Sequence, residues 1–524
     1  MARIAVIGAG MGSLATAARL ATGGHQVVVH ERAASHGGAV GRFAEGGFAF
    51  DTGPGLLLLP AVYRDLFVKT GRESLEATVG LTQADPASRH LFADGTEVSL
   101  PNASRSGVIE ALDAAFGPGS GVRWSDVLAR ARQAWEATRR PLLEEAVGNA
   151  PVPAADPYPA VARRGLFRRG APSLARVAAA ELGDPRLAAL LESYPVDYGL
   201  DPRTVPGSAA VLPYLEATFG VWYVRGGLRA LADAVYERCL ARQVEFRFGV
   251  AVTGLLAKDG RAAGVELADG SRSEADLVVA GAPLPALIAA GVLPAGPGGP
   301  AAGPGPSGEP GRCTVHMALR GARPAGTAHR TVVHAADREG ALDWVFAPGD
   351  RHRGALGAAA ADAGDPLAGR ITVTVLRPDD PELRPDDAHE ALTLTATVPR
   401  HAPGGGRPVD GTVDWAAPGA AEGFAARMVA VAEAAVPSLR ERELWRRVRT
   451  PADTERETGA PGGSVPAPAL AGAEGALLRP ANRSALPGLY VVGGWAHPGG
   501  GLPHAGMAGA IVADLIAGGP GGSR

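Results

Sequence analysis

The chain has 524 residues, 46% of them hydrophobic, and a formal net charge of −3. That length predicts about two domains, and the near-neutral balance removes the electrostatic argument for nucleic acid. The 2 cysteines, Cys239 and Cys313, form no CxxC, and the 12 histidines show no paired spacing, so neither a disulfide framework nor a metal site is expected.

In chain order, Ile4–Ile7 is a short apolar run ending in glycine, as a buried parallel strand does. Leu14, Ala17, Ala18 and Ala21 then share one helix face, and Gly23-Gly24 stops that helix. Val27–Val29 reads as the second strand, with Glu31 after it. The intervening turn holds Gly8, Gly10, Met11, Gly12 and Ser13. Gly8 suits a tight turn, Gly10 lets backbone approach a diphosphate, and the helix start faces its charge. Ser13 stands where this fingerprint usually has Gly or Ala, but it is small enough for close helix–strand packing. Glu31 is placed to accept hydrogen bonds from ribose hydroxyls, with Arg32 beside it.

Further along, Ser125–Leu143 reads as helix. Leu228, Leu231, Ala232, Val235 and Cys239 mark a buried helix face, followed by a strand over Val244–Phe248. Asp259-Gly260 and Asp269-Gly270 are hairpin turns in a meander, and Leu277–Ala280 returns to the sheet. Val252 lies where backbone would contact the adenine side of a nucleotide. Cys313–Leu319, Ile371–Leu376 and Ala391–Val398 are strand candidates. Pro294–Gly311 reads as a linker and His401–Pro408 as a hairpin tip. No stretch of ~18 apolar residues predicts a membrane span, and Met1-Ala2-Arg3 leads into the first strand without a signal-peptide pattern.

The closing stretch LPGLYVVGGWAHPGGGLPHAGMAGAIVADLI is strand, glycine-rich turn and helix. Paired with the opening turn, it builds one cofactor site from both ends of the chain. A long dinucleotide whose adenine and ring ends need separate elements fits that arrangement, so FAD is expected rather than a nicotinamide. No second nucleotide motif exists: Gly404-Gly405-Gly406 has no helix after it, which leaves NADPH the role of a transient reductant.

Two internal segments carry a resemblance. His36-Gly37-Gly38-Ala39-Val40-Gly41 and Gly47-Phe48-Ala49-Phe50-Asp51-Thr52-Gly53-Pro54 are similar to the start of the phytoene desaturase family of flavoproteins. Gly220–Gly227, Arg479-Pro480 and His497-Pro498-Gly499-Gly500-Gly501-Leu502-Pro503 continue the match in order. The resemblance implies an α/β, Rossmann-like fold of the two-dinucleotide-binding type, with a mixed sheet-plus-helix substrate domain. The FAD domain is expected over 1–75, 215–285 and 476–524, and the substrate domain over 76–214 and 286–475. Cofactor contacts are expected at Gly38, Asp51, Thr52, Gly53, Pro54, Gly493, Gly494, Gly501, Leu502 and Pro503. Two departures stand out. Ala39 replaces the family arginine expected at the FAD phosphates, which transfers that role to Arg42. His504 follows Gly-Leu-Pro where relatives carry a small residue, and with His497 it is the candidate for proton chemistry beside the flavin.

The family acts on polyenes by desaturation, isomerisation or hydride-delivering cyclisation. Trp495-Ala496-His497 and His504 resemble the branch serving polycyclic tetramate macrolactam biosynthesis; a carotenoid desaturase or isomerase is the alternative. A hydrophobic polyene substrate is expected, in the cytoplasm or peripheral to a membrane, with oligomeric state open. Leu56–Leu59 are candidates for a tunnel wall or ordinary core. A flavin-free lipid carrier related to GDP-dissociation inhibitors is the non-enzymatic reading, against which Glu31 and the Gly493–Gly509 loop both stand.

Overall fold

The computed structural model describes residues 1–161, 171–295, 309–347, 365, 367–402 and 412–518. Runs such as IAVI and LVVA, apolar at every position, belong to strands covered on both faces, and the structure uses them so. A five-stranded parallel sheet is ordered β5-β4-β1-β2-β3, with β1 (Arg3–Ile7), β2 (Gln26–Glu31), β3 (Glu245–Phe248), β4 (Leu277–Ala280) and β5 (Leu489–Val491). Helices α1 (Met11–Thr22), α2 (Leu228–Ala241) and α3 (Leu502–Ala517) share one apolar core with it, built on Leu14, Leu20, Val29, Leu231, Val235 and Val512. A three-stranded meander over Val252–Lys258, Arg261–Leu267 and Arg272–Glu274 contributes Val265 and Leu267 to a second cluster with Val278 and Val491.

The first meander turn is the two-residue Asp259-Gly260 loop, both residues at positive φ (51° and 70°), with Lys258 paired to Arg261. That is the twist an Asp-Gly hairpin matches. The second closes through Asp269, whose carboxylate accepts from the Ser271 N–H at 2.9 Å.

A seven-stranded sheet forms the other major layer. Its order is Glu443–Arg449, Gly311–Arg320, His389–Val398, Val373–Leu376, Arg330–Val333, Ser88–Leu91 and Glu97–Leu100. The one parallel pair joins Arg330–Val333 to Ser88–Leu91. Helix Ala420–Ala432 covers one face through Phe424, Met428 and Val429. A helical cap over Arg105–Phe116, Ser120–Arg139, Leu174–Leu182, Pro185–Asp197 and Val211–Phe219 has its own core around Trp124, Leu174 and Leu191.

Ser125–Leu143 is the end of Ser120–Arg139 plus a π-helical turn, Arg140–Glu144. Before that helix the chain also forms strands Leu81–Gln83, Ser88–Leu91 and Glu97–Leu100. Most of the Pro294–Gly311 linker, and Gly404–Gly406 within His401–Pro408, lie outside the described residues. Among the described residues, no helix is long and apolar enough to cross a membrane.

Candidate functional site

Three glycine segments converge where β1, β4 and β5 end. Gly8 takes φ +89° and Gly493 φ +89°, both left-handed, so each turns the chain where a side chain would strain it. A Cβ on Gly12 would lie 3.0 Å from Gly493 Cα, and one on Gly38 would lie 3.1 Å from Gly10 Cα. The opening and closing turns therefore touch backbone to backbone. Ser13, buried and with its Oγ unpartnered, packs on Gly281, where a Cβ would sit 1.9 Å from that Oγ. Serine at the third fingerprint position thus still allows the helix to approach the sheet.

The electrostatics follow from how the helices begin. α1 starts after Gly10 and α3 after Gly501, neither with a side-chain cap nor with an acidic residue in its first turn. Both leave free N–H groups and a positive dipole end for a ligand. Open space lies over Gly10, where nothing comes within 4 Å of a Cβ. Glu31 Oε2 accepts from the Ala9 N–H at 2.7 Å and Oε1 from the Ala33 N–H at 2.8 Å. Its carboxylate is thereby fixed beside the turn, with lone pairs left for hydroxyl groups. The chain before Val252 runs alongside, Gly249 donating to the Ala33 carbonyl at 3.0 Å. A bare turn, an anchored carboxylate and two uncapped helix starts fit the diphosphate, ribose and ring ends of FAD.

The other expected contacts have protein partners of their own. Arg42 does not replace the missing arginine: its Nε pairs with Asp51 Oδ1 at 3.3 Å across a hairpin of Arg42–Glu45 and Phe48–Asp51. Asp51 is itself spent at the start of α2, accepting from the Arg229 N–H at 3.2 Å, and burial raises its carboxyl pKa. Arg32 donates to the Glu457 carbonyl at 3.0 Å, at the carboxyl end of helix Pro451–Thr458, where a cation is favoured. Thr52 donates its N–H to Gly41, Gly53 packs under Ala39, and Pro54 is exposed.

The guanidinium lying on the glycine turn is Arg229. Its Nη1 donates to the His36 carbonyl at 2.7 Å and would be 3.1 Å from a Cβ on Gly37. It lies two residues after the Gly226-Gly227 pair, but only the fold reveals which turn it reaches.

The two histidines differ. His497 is 1% exposed; its Nε2 donates to the Glu145 carbonyl at 2.9 Å, and its own carbonyl accepts from Asn482 at 2.6 Å. Those bonds tie the Gly-rich loop to the π-helical turn and occupy Nε2 of the ring. His504 in the first turn of α3 has an unpartnered Nδ1. It lines a cavity of about 30 Å³ with Trp135, Leu142, Leu143, Val211 and Leu215. Burial, then the neighbouring His497, pushes its pKa down to about 4, so the ring is neutral at pH 7. Of Leu56–Leu59, Leu57 is core, while Leu59 packs against Leu143 and Leu215 of the cavity wall.

A family model, flavin containing amine oxidoreductase, matches residues 14–303. The chain is 30% identical to a hydroxyneurosporene desaturase of Cereibacter sphaeroides, with 98% of each chain covered. It is 32% identical to a zeta-carotene-forming phytoene desaturase of Myxococcus xanthus, over 54% of each. Among solved structures it is similar to an oxidoreductase from Methanosarcina mazei, with a TM-score of 0.62 at 17% identity, covering 98% of this chain and 100% of that one. It is also similar to putrescine oxidase, with a TM-score of 0.58 at 14% identity over 98% and 99%. These two likenesses concern the fold alone.

Proposed function

As a member of the flavin-containing amine oxidoreductase family, and of the phytoene desaturases within it, the chain is an FAD-dependent oxidoreductase, and we propose that it acts on a long polyene in natural-product biosynthesis. The reaction is desaturation or reductive cyclisation by hydride transfer, with the tetramate macrolactam branch suggested by Trp495-Ala496-His497 and His504. The observation that carries this reading is the 30% identity to a hydroxyneurosporene desaturase over 98% of both chains, with a small cavity beside His504 lined mainly by Trp135, Leu142, Leu143 and Leu215.

Bound FAD supplies a two-electron hydride acceptor or donor. The N–H groups of Gly10–Ser13 would hold its diphosphate, Glu31 its ribose, and the turns at Gly493–Gly494 and Gly501–Pro503 its ring end. The uncapped start of α3 favours negative charge there. Neutral His504 can accept a proton or hydrogen bond at Nδ1, or orient the substrate, but it is no cationic acid at pH 7.

The test is to incubate the FAD-loaded enzyme with candidate polyenes, with and without NADPH, and identify products by mass. Loss of two hydrogens marks desaturation, and gain of two with a new ring marks reductive cyclisation. No mass change and no flavin bleaching with any polyene would refute the proposal.

A further inference from the structure

Beside the Gly10 turn runs a second turn made of residues with no polar side chain to hold it. Gly37 and Gly38 are consecutive glycines at φ +103° and +59°, and Ala39 follows them. A glycine pair is unusually free in an unanchored chain, so its order has to be supplied by neighbours. Gly38 and Ala39 are exposed, and a Cβ on Gly38 would lie 3.1 Å from Gly10 Cα. The turn therefore borders the open space over Gly10 where the diphosphate of FAD would lie. An inward swing of the turn would fill that space.

What holds the turn comes from one face of α2, where Arg229, Asp233 and Tyr236 stand at i, i+4 and i+7. Arg229 Nη1 donates to the His36 carbonyl at 2.7 Å, and Nη2 donates to Ser35 Oγ at 3.1 Å. Asp233 Oδ1 accepts from Arg229 Nε at 2.7 Å and lies 2.9 Å from His36 Nε2. The Tyr236 ring stacks on the His36 ring, with centroids 4.0 Å apart and planes 8° from parallel. His36, the residue before the glycine pair, is thus gripped at its carbonyl, its ring edge and its ring face. The glycines add backbone bonds only: Gly37 donates its N–H to the Ala9 carbonyl at 2.8 Å, and its own carbonyl accepts from Val40 at 3.0 Å. Each guanidinium nitrogen of Arg229 already has a protein partner, so this side chain is built to hold the turn rather than to reach past it.

We infer that Arg229, aimed by Asp233, is a positioning residue for FAD: it fixes His36 and so keeps the Gly37–Gly38 turn beside the diphosphate space but out of it. The role is indirect. Arg229 touches neither the phosphates nor any reacting atom, and its effect passes through the backbone of the glycine turn. The inference concerns the cofactor alone and goes beyond the polyene reading, on which it does not rest.

The experiment strips the full-length enzyme of flavin and titrates it with FAD at several salt concentrations from about 0.05 M to about 0.5 M. Arg229→Met should weaken FAD about tenfold. Arg229→Lys keeps one donor for the His36 carbonyl and should recover part of that loss, binding about threefold more weakly than the parent. The salt dependence of Kd should be the same in all three proteins, because no contact with a phosphate has been removed. A salt dependence that flattens in Arg229→Met would mean that the guanidinium meets the phosphates directly, and it would overturn the positioning role. FAD affinity within twofold of the parent would overturn it as well. The melting temperature of the flavin-free protein shows whether each variant folds. Should Arg229→Met fail that check, the near-isosteric Asp233→Asn decides: a threefold loss is expected, and parent-like affinity overturns the role. No substrate enters the titration, so these outcomes bear on Arg229 alone and leave the polyene reading where it stands.

Discussion

Removing the Glu31 carboxylate should cost the enzyme its flavin in a graded way. In the protein alone it accepts from Ala9 N–H at 2.7 Å and Ala33 N–H at 2.8 Å, and Ala9 is fully buried. Glu31→Ala leaves the Ala9 N–H buried without a partner, a loss of about 1–3 kcal/mol in stability before any ligand arrives. Binding then loses the charge-assisted bonds to ribose hydroxyls, ~1.5–3 kcal/mol each. A combined loss of ~3 kcal/mol weakens FAD roughly a hundredfold. Glu31→Gln keeps one oxygen, which will face buried Ala9 rather than Ala33, so the weakening should be nearer tenfold (~1.4 kcal/mol). Apoprotein titrated with FAD at fixed ionic strength, followed by quenching of flavin fluorescence, measures both. If the alanine variant binds FAD within threefold of the parent, the placement of the ribose at Glu31 is wrong.

Gly10→Ala and Gly500→Ala should fail differently. The first meets nothing within 4 Å and should keep apoprotein stability while losing FAD; the second puts a methyl 1.6 Å from the Pro466 carbonyl and should lower the melting temperature by ~3 °C or more. His504→Ala should retain flavin, since its ring bonds to nothing, and lose turnover as followed by substrate-driven flavin bleaching; full turnover would exclude the ring from the reaction. Acid should destabilise the fold. Buried His30, His316 and His334 have pKa values pushed down to about 4, 3 and 4, so the unfolded chain takes up their protons first as pH falls below ~6.5. By pH 5 that removes roughly 2 kcal/mol each. Buried Glu192, with its carboxyl raised to about 7, acts oppositely and returns a similar amount between pH 7 and 5. Three terms outweigh one, and a melting temperature that rises from pH 7 to 5 would contradict this balance.

What could be read before folding was whatever the backbone writes locally. The β1–α1–β2 unit, Glu31 and both Asp-Gly hairpins follow from period and turn chemistry within a few residues. The meeting of Gly12 with Gly493 was also legible, since the two ends carry matching motifs. Pairings without a local mark were not. Ser88–Leu91 looks polar and joins Arg330–Val333 far along the chain, so nothing nearby announces a strand. Arg42 was chosen for nearness in sequence, whereas Arg229 reaches the Gly37 turn because α2 starts beside it. His497 and His504 appear equivalent on paper; the π-helical turn supplies a carbonyl to one and leaves the other facing a cavity.

The contact between the first and last turns also sets the order in which this molecule can be made. β1 emerges from the ribosome early, yet its neighbour β4 and the next strand β5 come from far later in synthesis. Until Leu489–Ala517 has emerged, the sheet lacks its edge strand and α1 lacks the helix packed most extensively along it. The nascent chain must therefore hold a half-built apolar face while hundreds of residues are added, a state in which aggregation competes with folding. A chain that stops before Leu489 has Glu31 and the first turn but lacks Gly493 and Gly501–Pro503, so its flavin site would have one wall only.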